Sequence, residues 1–356
     1  MASSTPTLVD DDLAAAIGAD RAAQWGIDRG PQGPSIRVAH LNGRPVAALL
    51  TTRRPATLAT KIAHVWRAAD DPEADDALAR LVQEEVADAE RRGDLAVKWQ
   101  CDDDVAPPES LGFSRMRTPY RSGAGTEGTT TGHIRWLRET HHVEPPYYSQ
   151  TSSFSCGAVT ALLASEIRGS GGFVDGADNR DIELDFWRRA SNYPTCEPVG
   201  LAVALRESFA DDAGRSPVEV FLDTEGPVLL ESYSTRFDRA FRAELQEHSL
   251  HRARASDVAV RRDRVGVEQI AARIRGGELA LLLIDLEPMY GFSVPHWVLA
   301  HAATDDAVLV QDPWISANWG ETWVDAHEVP IALPQLDRML AWGEERYRGV
   351  VFVRGA

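Results

Sequence analysis

The stretch Arg121–His133, RSGAGTEGTTTGH, cuts the 356-residue chain into two parts. Glycine and threonine dominate it, so it has few apolar side chains to pack and the composition of a flexible linker. A chain of this length favours two domains. The break therefore implies one domain over residues 1–120, a linker over 121–133 and a second domain over 134–356. Gly123, Gly125 and Gly128 spell GxGxxG within the linker. A dinucleotide fingerprint must follow a strand and open a helix. TPYRS before it and TTTGH after it satisfy neither condition, so no dinucleotide cofactor is expected.

Charge narrows the partners. Asp and Glu number 54 against 37 Lys and Arg, a formal net charge of -17. Nucleic acids and anionic membranes reward clustered cations, and Lys61 and Lys98 are the chain's only lysines. Neither partner is expected. The N-terminus, MASSTPTLVDDD, has no basic region and no apolar core, so it does not read as a signal peptide. The longest apolar run, LALLLI at 279–284, is far short of the ~20 residues that span a bilayer. Cys101, Cys156 and Cys196 form no CxxC pair, which gives neither a disulfide framework nor a zinc-ribbon spacing. A cytoplasmic protein without a metal is expected; oligomeric state leaves no mark in the sequence.

The first part alternates strand and helix patterns. SIRVAHLNGRPVAALLTTR reads as a hairpin around Asn42-Gly43, and ATKIAHVWRA as a further strand. PEADDALARLVQEEVADAERRG has apolar residues at helical intervals, acids at its start, arginines at its end and Gly93 as a stop. DLAVKWQC reads as a strand and PESLGFSRMRT closes the segment. This order, with ESLGF near its end, resembles the GNAT acetyltransferase fold over roughly residues 10–120. That resemblance implies an α/β domain holding an acetyl-CoA diphosphate on a glycine-rich, arginine-containing loop at a helix N-terminus. Here that position is RAADDPEADD, Arg67–Asp76, with no glycine and five acids. A scaffold without its cofactor is the expectation.

The second part opens with HIRWLRETHHV, read as a helix. ELDFWRRASNYPTCEPVGLAVALRESF reads as two helices broken at Pro194 and Pro198. LALLLIDLEPMYGFSVPHWVLAHAATDDAVLVQDPW reads as short antiparallel strands. Helices first and strands last imply an α+β domain.

One cysteine sits where chemistry needs it. SCGAVTALLASEI starts a helix at Cys156, and a helix N-terminus and an imidazolium both favour a thiolate. His296 begins one strand and Asp312-Pro313 ends the next, so the antiparallel pairing brings the two ends side by side. An aspartate there can fix the imidazole tautomer. Gln150, six residues before the cysteine, can supply an oxyanion-hole amide. Gln150-x5-Cys156-Gly157, His296-Trp-Val and Asp312-Pro313 together resemble the bacteriocin-processing cysteine peptidases, papain-like enzymes that cut leader peptides after double glycine. The resemblance spans about Tyr147 to Trp314. It implies Cys156 as nucleophile, His296 as general base and acid, Asp312 as its orienting residue and Gln150 as oxyanion donor. A GNAT-like half followed by such a half also resembles fused bacterial proteins of that pairing.

Ser155 and Ala158 stand where that family more often has Asp or Asn and Pro or Leu, so reaction type carries over better than double-glycine specificity. The expected function is cleavage of a peptide or amide bond through a thioester at Cys156. Acyl transfer to an amine, or peptide recognition without catalysis, are the alternatives. Among the remaining residues, His301 projects to the opposite strand face from His296 and reads as structural. His141-His142 lies in a loop and reads as no metal site. Cys101 precedes a solvated DDD turn, and Cys196 reads as packing or a pocket wall. Trp187, Trp297, Trp314 and Trp319 read as core more than groove. No GxSxG and no Walker loop occurs.

Overall fold

The computed structural model describes residues 8–101, 107–122, 125–126, 129–190, 194–209 and 218–354. It divides into two compact units. The first comprises Met1–Met116, Gly128–Thr140 and Ser316–Asp325, and the second Arg117–Glu127, His141–Ile315 and Ala326–Ala356. The division departs from a single cut. Residues 316–325, placed in the C-terminal domain by sequence, belong to the first unit. Gly123 and Gly128 of the GxGxxG sequence, and the DDD turn after Cys101, lie outside the described residues.

The first unit is a six-stranded sheet with helices on both faces. Its strands are β1 (Ser35–Leu41), β2 (Arg44–Thr52), β3 (Ala59–Arg67), β4 (Ala96–Cys101), β5 (Ser114–Arg115) and β6 (Thr131–Trp136), in the order β1-β2-β3-β4-β6-β5. Helices α1 (Asp11–Ile17) and α2 (Ala19–Trp25) pack through Leu13, Ile17 and Trp25 against Ala48, Leu50 and Ala63. Helix α3 (Ala74–Arg92) buries Leu78, Leu81, Val82 and Val86 against Leu49, Ile62, Val97 and Trp99.

The hairpin turns at Asn42 and Gly43, both at positive φ (51° and 78°), as a two-residue primed turn requires. Gly93 ends α3 in the left-handed region at φ 82°. β3 and β4 run parallel, joined by α3. The expected α/β order therefore holds through β4.

HIRWLRETHHV is not a helix. Residues 131–136 are β6, antiparallel to β4, so the first half of that strand falls inside the stretch read as a linker. Strand pairing outweighed a local spacing that suited either period. In the same unit, Glu321 accepts from Gln32 Nε2 (2.6 Å) and Arg54 Nε (3.0 Å), and Asp325 pairs with the buried Lys61. Those long-range ion pairs tie residues 316–325 to the sheet, and nothing local in the sequence announces them.

The second unit is a seven-stranded sheet with helices packed on both faces. α4 (Cys156–Ile167), α5 (Arg180–Ala190), α6 (Pro198–Ser208), α7 (Arg236–Ala255) and α8 (Val267–Arg275) are its longer helices. The strands are β7 (Val218–Leu222), β8 (Ala259–Arg261), β9 (Leu279–Asp285), β10 (Pro295–Ala303), β11 (Ala307–Gln311), β12 (Val329–Ala332) and β13 (Gly349–Val353). Their order is β12-β11-β10-β9-β13-β7-β8, antiparallel except for β7 and β8. Pro198 opens α6 at its first turn rather than interrupting a helix, and Glu197 caps it through Val199 N and Gly200 N.

α4 is apolar on every side and buried from Cys156 to Ser165, which makes it the central helix of its layer. It packs with α6 against Leu281, Leu283, Trp297 and Leu299. The alternate residues Ala280, Leu282 and Val298 face the other way, towards α8. With both faces covered, β9 reads as an unbroken apolar run.

Candidate active site

Cys156 is the first residue of α4. Ser155 occupies the N-cap position, yet its side chain makes no cap bond. Its hydroxyl donates to Glu183 Oε1 instead, with Ser152 O 2.9 Å away. The first-turn N–H groups therefore keep no side-chain cap, and a helix end in that state attracts negative charge. Gly157 follows because a Cβ there would stand 3.0 Å from Cys196 Cβ and 3.1 Å from Trp297 Cδ1, tighter than ordinary packing. Trp297 in turn donates from Nε1 to Cys196 O at 3.0 Å. Cys196 is thus the wall against which the first turn of α4 packs.

The sheet supplies the partners. β10 and β11 pair with Leu299 opposite Gln311, so His296 and Asp312 lie on one face at neighbouring strand ends. His296 Nε2 is 2.7 Å from Asp312 Oδ1, which also accepts from Trp314 N at 2.9 Å. The Cys156 sulfur is close enough to the imidazole to act on its charge. All three groups are buried, Asp312 completely. Burial pulls the His296 pKa down, but the Asp312 carboxylate and the Cys156 sulfur override it and push the pKa up to about 10. The same burial raises the Cys196 thiol well above its usual range, with the neighbouring Cys156 adding to the effect. The structure therefore brings together three of the four residues singled out by sequence.

Gln150 is held differently. Its backbone N–H donates to Pro313 O at 2.9 Å, which fixes it beside the turn after Asp312. Its amide Nε2 donates to Ser152 O at 2.8 Å, while Oε1 is buried without a hydrogen-bond partner.

Glu183 was not foreseen. It reaches from α5, fully buried, and accepts from Tyr148 OH (3.0 Å), Thr151 N (2.9 Å) and Thr151 Oγ1 (2.7 Å) as well as Ser155. One carboxylate thus pins the loop that joins Gln150 to Cys156. The signal for it is in the sequence: Glu183 shares the buried stripe of α5 with Phe186 and Ala190, an acid on an apolar face.

His301 lies away from this site. It is buried at the β10 bulge, 3.7 Å from Glu328 Oε1 and 3.3 Å from Gln311 Nε2. His142 joins the same cluster through Glu328 at 2.8 Å. No group of three metal-ligating side chains with metal-site geometry occurs among the described residues.

In the first unit a cavity of about 790 Å³ is lined by Trp25, Trp66 and Trp99 together with Arg67, Asp70 and Asp71. Those residues do not fit an acetyl-CoA diphosphate. Arg67 pairs with Asp75 at 2.9 Å, Asp71 accepts from Glu73 N at 3.0 Å, and the first turn of α3 carries Asp75 and Asp76. The helix end that would receive a phosphate is already supplied with carboxylates.

A cysteine at a helix N-terminus facing a histidine and an aspartate on adjacent strand ends is the arrangement of papain-like proteins. Residues 145–354 match the model of a Peptidase_C39 like family, and the chain belongs to that family. A comparison with curated proteins finds no match. Similar solved structures include the ribosomal-protein-S18-alanine N-acetyltransferase of Escherichia coli, at 15% identity and TM-score 0.27, covering 40% of this chain and 95% of that one. A type Ii aminoglycoside 6'-acetyltransferase gives 14% and 0.26, covering 35% and 79%. A Bacillus subtilis acetyltransferase in complex with CoA gives 12% and 0.27, covering 38% and 96%. No helix among the described residues is long and apolar enough to cross a membrane.

Proposed function

We propose that the second unit cleaves a peptide or amide bond through a thioester at Cys156. The observation that carries this is the buried His296–Asp312 pair, bonded at 2.7 Å, beside Cys156 at the first position of α4. The imidazole holds a proton to about pH 10, so the sulfur faces a cation.

The Cys156 sulfur attacks the substrate carbonyl carbon, and the carbonyl π pair moves to oxygen. The uncapped first turn of α4, with the Gln150 amide, stabilises that oxyanion. Gln150 must exchange its bond to Ser152 O for the substrate oxygen. His296 passes its proton to the leaving nitrogen as the carbon–nitrogen bond breaks, leaving an acyl thioester. His296 then takes a proton from water, which attacks the thioester carbon, and the carbon–sulfur bond breaks to regenerate Cys156. Asp312 holds the imidazole in one tautomer throughout.

In this reading the first unit is a GNAT-like scaffold without its cofactor. Incubation with a peptide vinyl sulfone tests the catalytic assignment, because an activated thiolate adds to it to form a stable thioether faster than a buried protonated thiol does. A mass increase confined to Cys156 supports it. Equal adducts on all three cysteines, or none, overturn it.

A further inference from the structure

The cleft above Cys156 has a volume of about 810 Å³, and its charged residues are Glu231, Asp285, Glu344 and Arg346. Three carboxylates against one guanidinium leave the mouth of the site acidic. The Glu231 carboxylate packs against Gly343, which takes φ 70°, a backbone conformation that favours glycine. Trp342 Nε1 and Tyr347 OH hold that carboxylate loosely, each at 3.4 Å. Asp285, across the cleft, is fixed by Glu287 N (3.0 Å) and Ser293 Oγ (2.9 Å). Phe154 and Trp342 add aromatic walls, and aromatic faces attract cations; the Tyr233 ring already carries Arg242, 4.8 Å from its centroid.

Resting on the assignment of Cys156 as nucleophile, we infer that this cleft selects a substrate with a positive charge close to the carbonyl under attack, an arginine or lysine side chain or an equivalent amine. Low-dielectric walls focus the field of the rim acids into the cleft and raise the local concentration of a cation there. Arg346 offsets one acid and leaves two in excess. The same field disfavours an acidic residue at that place, so discrimination comes from attraction and repulsion together.

Peptide chloromethyl ketones test this without knowledge of the natural substrate. Two sets carry arginine or citrulline at the first, second or third position from the electrophile, which changes charge with almost no change of shape. The rate of Cys156 alkylation is read by intact mass. For at least one position the arginine derivative reacts about tenfold faster than the citrulline one at low ionic strength. The ratio falls towards one in ~1 M salt, where the screening length shrinks to about 3 Å. It also falls in the E231Q/E344Q double variant.

Equal rates for both derivatives at every position, including no labelling by either, overturn the inference, as does a ratio untouched by E231Q/E344Q. Iodoacetamide run in parallel separates this failure from a deeper one. If it still selects Cys156, only the charge preference is lost. If it does not, the nucleophile assignment falls with it.

Discussion

Ser155 gives its hydroxyl to Glu183 rather than to the helix it precedes. A serine at that position ordinarily satisfies a first-turn N–H, and here a buried acid from another helix withdraws it. The consequence is an α4 N-terminus whose first turn takes no side-chain cap, which the proposed mechanism uses to hold the oxyanion.

Glu183→Gln tests this arrangement. The carboxylate serves four donors through two acceptor oxygens, and an amide keeps one of them and adds two donors of its own. The variant should lose about 1–3 kcal/mol of stability in urea unfolding. It should also slow Cys156 alkylation, because the loop before the helix loosens. Full stability with unchanged alkylation would remove Glu183 from the account.

Asp312 needs a gentler change than alanine. The structure shows it fully buried, with its carboxylate bonded to His296 and Trp314 N, its N–H bonded to Ala326 O and its carbonyl accepting from Tyr147 OH. Asp312→Ala therefore costs folding as well as turnover. Asp312→Asn keeps the shape and should lower turnover by about 10³–10⁴, with a small change in melting temperature. Activity and stability falling together in Asp312→Asn would make the residue structural.

Stability should fall on both sides of neutrality, for different reasons. The folded His296 pKa, about 10, lies above the unfolded value near 6.5, so its contribution is full below ~6.5 and is lost as pH rises towards 10. Burial lowers His301 to about 4, so the unfolded chain gains a proton between about 6.5 and 4 that the native state refuses. Glu328 resists desolvation through His301, His142 and His327 and sits at about 2; its contribution is present above the ordinary carboxylate range and disappears as pH falls through 2. Urea midpoints should therefore decline from pH 6.5 towards 10 and again towards 3. In His296→Gln the alkaline decline should shrink while the acid one persists. An unaltered alkaline limb in that variant would mean another group controls it.

The first unit should not bind acetyl-CoA. Titration calorimetry at micromolar protein is expected to show no heat, because carboxylates already line the start of α3. Micromolar binding that disappears on changing residues 67–76 would contradict this.

What the sequence revealed follows from which interactions are local. The Asn42-Gly43 hairpin and α3 with its Gly93 stop declare themselves through turn chemistry and period. So do the strands that carry His296 and Asp312. Their 2.7 Å approach follows from antiparallel pairing alone. β6 is misread because its partner β4 lies thirty to forty residues away and its own spacing suits a helix as well. The attachment of residues 316–325 to the first unit depends on Lys61, Arg54 and Gln32, each more than 260 residues distant along the chain. Nothing in the local pattern could have announced it. Gln150 shows the opposite limit, since its position was legible and its side-chain orientation was not.

The most direct test of the central claim is competitive alkylation with iodoacetamide at pH 6, mapped to Cys101, Cys156 and Cys196. The His296 imidazole, its pKa pushed up to about 10, lies beside Cys156, whereas burial holds the Cys196 thiol in its protonated form. Cys156 should therefore react first, and His296→Ala should slow it. Gln150→Ala should leave alkylation nearly unchanged while reducing turnover by about 10²–10³. If Cys156 reacts no faster than the other two cysteines and His296→Ala changes nothing, Cys156 is a packing residue and the proposed chemistry is wrong.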